Sequence, residues 1–207
     1  PHLYHSPNML TVPLMKEKGE VSVISTGSFG TVNPSFELQA AFALPAHIAI
    51  GGNFMTGGSS HSGSEYTDFS RYNYTEGFGG FYTSFGNTGI FEIYAGYGKS
   101  SQRHTFAFNE WAWGDDWVQD GTAEMQFSKF FIQPDVGIRY KSIEAAFALR
   151  LSRLNFTKVS YANTTYRLEE LQHLSSNRTS WLLDPGFTFR VGHEPLNFHV
   201  QVVFSPE

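Results

Sequence analysis

The stretch FEIYAGYGKS, residues 91–100, decides the fold class. Its residues alternate between an apolar set, Phe91, Ile93, Ala95 and Tyr97, and a second set, Glu92, Tyr94, Gly96 and Gly98. A period of two is typical of a β-strand whose two sets face opposite sides of a sheet. The rest of the sequence has to indicate whether the apolar side meets a protein core or lipid.

Composition narrows the class of protein. Charged residues make up only 16% of the 207 residues, against about 25% in typical soluble domains, and aromatic residues reach 16%. The net charge of −5 gives no basic footprint for nucleic acid, and the absence of cysteine excludes disulfides and zinc–thiolate sites. No apolar run approaches the roughly 18 residues of a transmembrane helix. The chain starts at Pro1 without a signal segment, which is expected of a processed mature form.

The same alternation recurs along the chain and predicts an all-β fold. We predict nine strands, at residues 20–29, 35–44, 47–55, 71–85, 91–100, 125–140, 143–151, 180–191 and 196–204. Residues 166–174 are the one helical candidate. We expect one domain, a barrel over residues 20–207, preceded by a periplasmic or anchoring segment at residues 1–19.

The connections alternate between short and long. Tight links follow strands two, four, six and eight, whereas residues 56–70, 100–124 and 157–179 form long links that are polar or rich in Trp. Short turns at one end and long loops at the other are typical of an up-and-down barrel in a bacterial outer membrane. The sequence therefore favours an antiparallel transmembrane β-barrel.

Closure of such a barrel constrains the number of strands. An open edge cannot lie in hydrocarbon, and bacterial single-chain barrels have even numbers of strands. We expect about eight to ten strands and prefer ten, with a tenth strand following Glu207. The alternative is a ring of eight strands in which the N-terminal region has been divided too finely.

The polar set of each strand indicates an interior lined with charge. A soluble barrel such as a lipocalin would turn its apolar set inward, whereas a membrane barrel turns it outward. Arg and carboxylates outnumber Lys in the polar set, which suits bidentate pairs in a confined interior. Pro134 and Pro185 lie within strands and fit neither arrangement well. We predict an interior ion-pair network formed by Glu37, Glu76, Glu92, Lys129, Asp135, Arg139, Glu144, Arg150, Asp184 and Arg190.

Four segments also carry a resemblance to a known group of proteins. They are TVPLMKEKGEVSV, AHIAIGGNFM, EIYAGYG and FFIQPDVGIRYKSIEAAFALRLSRLNF. In order and spacing they resemble small outer-membrane β-barrel proteins of Bacteroidota, some of them lipoproteins, over most of residues 11–205. The resemblance implies an outer-membrane location, an acylated Cys before Pro1 if this member is a lipoprotein, and a role beside larger assembly, secretion or uptake machines.

The stretch FNEWAWGDDWVQDG, residues 108–121, is the strongest candidate for a binding loop. Trp111, Trp113 and Trp117 lie close together there, and Trp is enriched at interaction hot spots. They could instead fold over the barrel mouth, sit at the lipid interface or stack on sugars. The neighbouring aspartates lack the spacing of a calcium-binding EF-hand loop.

We therefore expect a non-enzymatic accessory or scaffold subunit that contacts outer-membrane lipid and other outer-membrane proteins, with no cofactor and no metal. A surface barrel for adhesion or small-solute passage is the alternative. A lipid-modifying enzyme would need a Ser, a His and a carboxylate at the rim. The candidates are His61 with Ser60 and Ser62, His104, and His173, but no recognisable nucleophile pattern surrounds them.

Overall fold

The computed structural model describes residues 8–28, 34–62, 66–109, 117–162, 176–193 and 196–204. Strands account for most of these residues. They are β1 (Val21–Ser28), β2 (Ser35–Ala43), β3 (Ile48–Ser62), β4 (Tyr66–Phe85), β5 (Gly89–Asn109), β6 (Trp117–Tyr140), β7 (Ile143–Ala162), β8 (Thr179–His193) and β9 (Leu196–Val203). Within the described ranges, no helix is both long and apolar enough to cross a membrane.

The nine strands form one curled sheet in the order of the chain. Each strand pairs with the next in antiparallel fashion, which confirms the predicted all-β, up-and-down architecture. β1 and β9 are the two edges, and no pairing joins them among the described residues. Because the number of strands is odd, these edge strands run in the same direction.

The middle strands are longer than the sequence predicted. Strand extends into each predicted long loop: β3 and β4 leave only residues 63–65 between them, β5 and β6 leave residues 110–116, and β7 continues to Ala162. In these extensions both faces of the sheet carry polar residues. The alternation of apolar and polar residues is therefore lost from the sequence, although the backbone pairing between the strands continues. Residues 163–175, which contain the predicted helix at 166–174, lie outside the described part of the chain.

Burial alternates along the strands in the sense expected of an inside-out barrel. On β6, Phe130 and Ile132 are 50% and 43% exposed on the convex face, whereas Lys129, Gln133 and Asp135 are at most 2% exposed on the concave face. The same alternation runs through β2 and β7. The buried core therefore lies in the concave interior and contains many polar side chains.

Proline explains one irregularity in the sheet. The pairing of β6 with β7 passes from Ile132 and Leu151 directly to Asp135 and Ala148, so that Pro134 is left out of the ladder. Proline has no N–H to donate and is tolerated where pairing is interrupted. Pro185 stays in register opposite Leu149 and accepts a hydrogen bond through its carbonyl from the amide of Phe204, 2.9 Å away.

Candidate functional site

The interior contains a peptide that sequence analysis assigned to a separate N-terminal segment. Residues 8–16, called the plug below, lie on the concave side of the sheet, and Leu10, Val12, Leu14 and Met15 are almost fully buried there. We call the end of the sheet with the β4–β5, β6–β7 and β8–β9 turns the turn end, and the opposite one the far end. The plug occupies the interior between the middle of the sheet and the turn end.

Contacts with β6 fix the direction of the plug. Asn8 accepts a hydrogen bond from Lys129, the carbonyl of Thr11 accepts one from Gln133 at 2.6 Å, and Lys16 donates to the carbonyl of Arg139 at 2.9 Å. Residue numbers thus rise together on the plug and on β6. The plug runs parallel to β6, with Lys16 at the turn end.

Two interior carboxylates bind the backbone of the plug. Glu92 accepts hydrogen bonds from the amides of Leu14 and Met15 at 3.0 and 2.7 Å, and Glu37 accepts from the amide of Met9 at 3.2 Å. Leu14 has a positive φ of 56°, which is unusual for a residue with a side chain. This turn lets two successive N–H groups converge on one carboxylate, as in an anion-binding nest.

Amide and guanidinium groups satisfy the rest of the plug backbone. Gln201 accepts from the amide of Leu10 at 2.8 Å and donates to its carbonyl at 3.0 Å, as a neighbouring β-strand would. Arg190 donates to the carbonyl of Val12. The plug is therefore recognised through its main chain, with polar side chains of the strands in place of a sheet partner.

Two glycines make room for the plug. A Cβ atom at Gly137 would lie 2.7 Å from the side chain of Leu14, and one at Gly186 would lie 2.6 Å from that of Leu10. Both distances are closer than carbon atoms approach in a packed interior. Leu10 and Leu14 then belong to one apolar cluster with Ile90 of β5.

One cluster of charges lies at the inner end of the plug. Glu76 lies 3.4 Å from Arg150 and 4.0 Å from Lys129, and it accepts hydrogen bonds from Asn8 and Tyr74. Lys129 also lies over the ring of Tyr74, with 4.5 Å between the ammonium and the ring centroid. Each buried charge thus has partners, as burial without loss of stability requires.

A second cluster lies at the turn end. Glu144 bridges Arg190 and Arg139, each at 2.9 Å, and Arg139 also lies 3.1 Å from Glu20, just before β1. Glu20 in turn accepts a hydrogen bond from the amide of Lys16 at 2.9 Å. This cluster fixes the Lys16 end of the plug to β6, β7 and β8.

All ten residues of the predicted network face the interior, but they divide among different partners. Glu76, Lys129, Arg150, Arg139, Glu144 and Arg190 form the two clusters. Glu37 and Glu92 bind the plug backbone, and Asp135 accepts from Gln133 at 2.9 Å. Asp184 is buried and lies opposite Arg150 in the register of β7 and β8. The network predicted from the sequence did not include Gln133, Gln201 or the plug.

Toward the far end the interior contains an apolar cluster beside buried polar residues such as Ser100 and Gln102. Met55, Tyr74, Phe127, Leu154 and Phe156 form a buried cluster there. The rings of Phe127 and Phe156 meet edge to face, with 5.6 Å between their centroids. The described interior is thus filled in two layers, the plug with its charges and this aromatic cluster.

Most of the candidate loop and catalytic residues, or their side chains, lie outside the described part of the chain. Trp111, Trp113 and His173 are outside the described residues. Trp117 begins β6, opposite Asn109, and His61 lies on β3 opposite Asp68; nothing is described of these two side chains. His104 is buried on the concave face. No group of three His, Asp or Glu residues suited to a metal occurs among the described residues.

Comparisons of the chain with protein-family models, with curated proteins and with solved structures found no match. The role of the interior is therefore inferred from the contacts within the structure. These contacts show a cleft on the concave side of the sheet that a peptide of the same chain occupies.

Replacing Glu92 with alanine should loosen the plug. The change leaves the buried amides of Leu14 and Met15 without an acceptor, at a cost of about 2 kcal/mol or more, which corresponds to a roughly thirtyfold loss of protection. Amide hydrogen exchange of peptides covering residues 8–16 measures this loss. Glu124→Ala is the matched control, because that carboxylate lies on the convex face with 44% of its side chain exposed. Unchanged protection in Glu92→Ala would contradict the assigned role.

Proposed function

We propose that the chain is a non-catalytic β-barrel protein of a bacterial outer membrane and acts as an accessory or scaffold subunit of a larger membrane complex. The observation that carries the proposal is the inversion of the sheet, with apolar side chains exposed on the convex face around an interior filled by charges and by the plug. The resemblance to small outer-membrane barrels of Bacteroidota points in the same direction.

The apolar band on the convex face has the height of a bilayer. On β6 the outward positions are apolar from residue 130 to residue 140. The next outward positions toward the far end are Ser128, Gln126 and Glu124. On β8 the band covers residues 181–191. A tilted transmembrane strand needs about 9–11 residues. We call these outward apolar rows the belt.

Aromatic side chains mark the upper border of the belt. Tyr97, Phe130, Arg153 and Trp181 follow one another in register across β5 to β8. The Trp181 side chain is 64% exposed, and aromatic residues of this kind favour the boundary between lipid and water. This row supports placing the far end of the sheet outside the bilayer.

The filled interior favours a scaffold over a channel. The plug and the aromatic cluster occupy the space through which a solute would pass, and the plug hydrogen-bonds to interior side chains of the strands. Meanwhile β5, β6 and β7 continue well past the belt as a polar wall. Such a molecule offers surfaces to a partner in the membrane and above it.

Photo-crosslinking in intact cells tests the partner role. A photoreactive amino acid at Trp111 or Trp113, or on the outer wall at Phe147, should give discrete adducts with one and the same membrane protein. Phe131 is the matched interior control, because its ring is fully buried and should react only within the chain. Adducts with lipid alone at all three positions, Trp111, Trp113 and Phe147, would contradict the subunit role.

Bilayer recordings test the alternative of small-solute passage. The intact chain should insert without producing channel currents, because both layers of its interior are filled. A porin in the same bilayer provides the positive control, and protease protection of the inserted chain verifies insertion. Reproducible current steps from the intact chain would favour the channel.

The edges of the sheet support a ten-stranded ring. β1 and β9 run in the same direction, so one strand between them would pair with both in antiparallel fashion. The outward residues of both edges continue the belt; among them Val23 and Phe198 are 63% and 69% exposed. An unpaired edge is costly in hydrocarbon. The prediction from the sequence that the tenth strand follows Glu207 stays a prediction.

Paired cysteines test this closure, since the chain has no native cysteine. With one strand inserted, β1 and β9 lie about 10 Å apart, twice the usual strand spacing, which is beyond the reach of a disulfide. Pairs that combine Val21, Val23 or Ser25 with Phe198, Val200 or Val202 should therefore resist oxidation yet react with a bis-maleimide of about 10 Å. Efficient disulfide formation in the membrane-inserted protein would mean that the two edges pair directly.

A further inference from the structure

Basic side chains are concentrated on the convex face just beyond the belt at the far end. This face carries the exposed side chains of Arg71 on β4, Lys99 and Arg103 on β5, and Arg153 and Lys158 on β7. We call them the basic patch. Within the belt itself, the described outward positions of these strands are apolar or uncharged.

The basic patch retains a net positive charge. Glu124 is the one carboxylate among the described outward residues beside it. Lys158 donates a hydrogen bond to Glu124 at 2.9 Å and holds the pKa of that carboxyl below its usual value, while Arg103 lies 3.8 Å away. None of the described carboxylates pairs with Arg71 or Lys99. Most of the positive charge therefore faces outward uncompensated.

Two of the arginines oppose each other directly. Arg71 of β4 and Arg103 of β5 are cross-strand partners on the same face. Like charges at directly opposed positions destabilise a sheet. A bound anion between the two guanidinium groups would remove that repulsion, and guanidinium groups bind phosphate oxygens in bidentate fashion.

A groove adjoins Arg71 on the same face. It encloses about 690 Å³, and Thr56, Ser60, Ser70 and Asn73 line it together with Arg71. Thr56, which is half-buried, donates to the exposed Asn73 at 2.8 Å. Phe36 closes the groove on the side of the belt. The groove thus places hydroxyl and amide groups above an apolar floor.

We propose that Arg71, Arg103 and the adjoining groove bind the phosphate head group of an anionic lipid. The lipid chains would lie along the belt beside Phe36 while the phosphate lies between the two arginines. A lipid fits better than a free anion because the groove beside Arg71 reaches the belt at Phe36, on the face that would contact the membrane. This inference rests on the proposed membrane location.

Lipid titration of the purified chain tests the site. The protein is placed in nanodiscs of phosphatidylcholine, phosphatidylglycerol is added in increasing fractions, and native mass spectrometry measures the lipid retained. The double variant Arg71→Gln/Arg103→Gln should bind phosphatidylglycerol roughly thirtyfold more weakly than the unaltered chain. Arg71→Lys/Arg103→Lys, which keeps both charges, should retain most of the affinity. Lys18→Gln/Lys141→Gln, which removes exposed cations at the turn end, should change nothing.

Other outcomes would overturn the proposal. Equal retention of both lipids by the unaltered chain, or unchanged affinity in the glutamine variant, would exclude the site. A further experiment replaces phosphatidylglycerol with inorganic phosphate. If inorganic phosphate stabilises the protein as much as the charged lipid does, the ligand is a free anion. Folding failure is controlled by thermal unfolding in phosphatidylcholine alone, where the glutamine variant should match or exceed the unaltered chain, because a repulsion has been removed. If the unaltered chain does not enter nanodiscs, the membrane location itself fails.

Discussion

The hydrogen bonds between interior side chains and the backbone of the plug are the interaction on which the rest of the structure depends. Because the strands turn their apolar side chains to the convex face along the belt, the polar groups of that part of the sheet point inward. Glu37 and Glu92 are buried there, where a carboxylate is costly without enough donors. Gln39 and Asn53 donate to Glu37, and Tyr94 donates to Glu92. The amides of Met9, Leu14 and Met15 supply the missing donors. The plug is therefore part of the interior chemistry and not an appendage to the sheet.

The shape of the interior follows from the same requirement. A curled sheet of this size leaves more room inside than its polar side chains fill at the turn end, and glycines at positions 137 and 186 widen that space further. Leu10, Val12 and Leu14 occupy it and pack against Ile90 and two alanines of β7. Toward the far end Phe127 and Phe156, which are partners on the neighbouring strands β6 and β7, pack against each other, and Tyr74 of β4 lies beside Phe127. Glycine and alanine on the concave face thus lie beside the plug, whereas large aromatic side chains lie toward the far end.

The sequence predicted the parts of the fold that depend on alternation. All nine strands and the inward direction of the ten charged residues could be predicted, because a period of two assigns each residue to a face. The extensions of β3 to β7 could not, since residues such as Lys99 to His104 are polar on both faces and give no contrast. The partners of Glu37 and Glu92 were also beyond prediction, because a carboxylate can bind a guanidinium or an amide equally well. The run MLTVPLM, residues 9–15, held the only signal of the plug: an apolar stretch that does not alternate, directly before a barrel with a polar interior.

The plug also links the two edges of the sheet. Met9 accepts a hydrogen bond from Thr26 of β1, and Leu10 is held by Gln201 of β9, so adjacent plug residues contact the first and the last strand. The contacts with Gln201 and Arg190 join residues separated by nearly the whole chain, and contacts of such separation carry a large loop-closure cost. They can form only once β8 and β9 have taken their places, whereas the contacts with Glu37 need only β2. The contacts with β8 and β9 therefore carry the larger loop-closure cost, and the complete set of plug contacts requires both edges of the sheet. Because Gln201 and Arg190 hold the plug from β9 and β8 while Thr26 and Glu37 hold it from β1 and β2, the plug connects the first two strands with the last two through the interior.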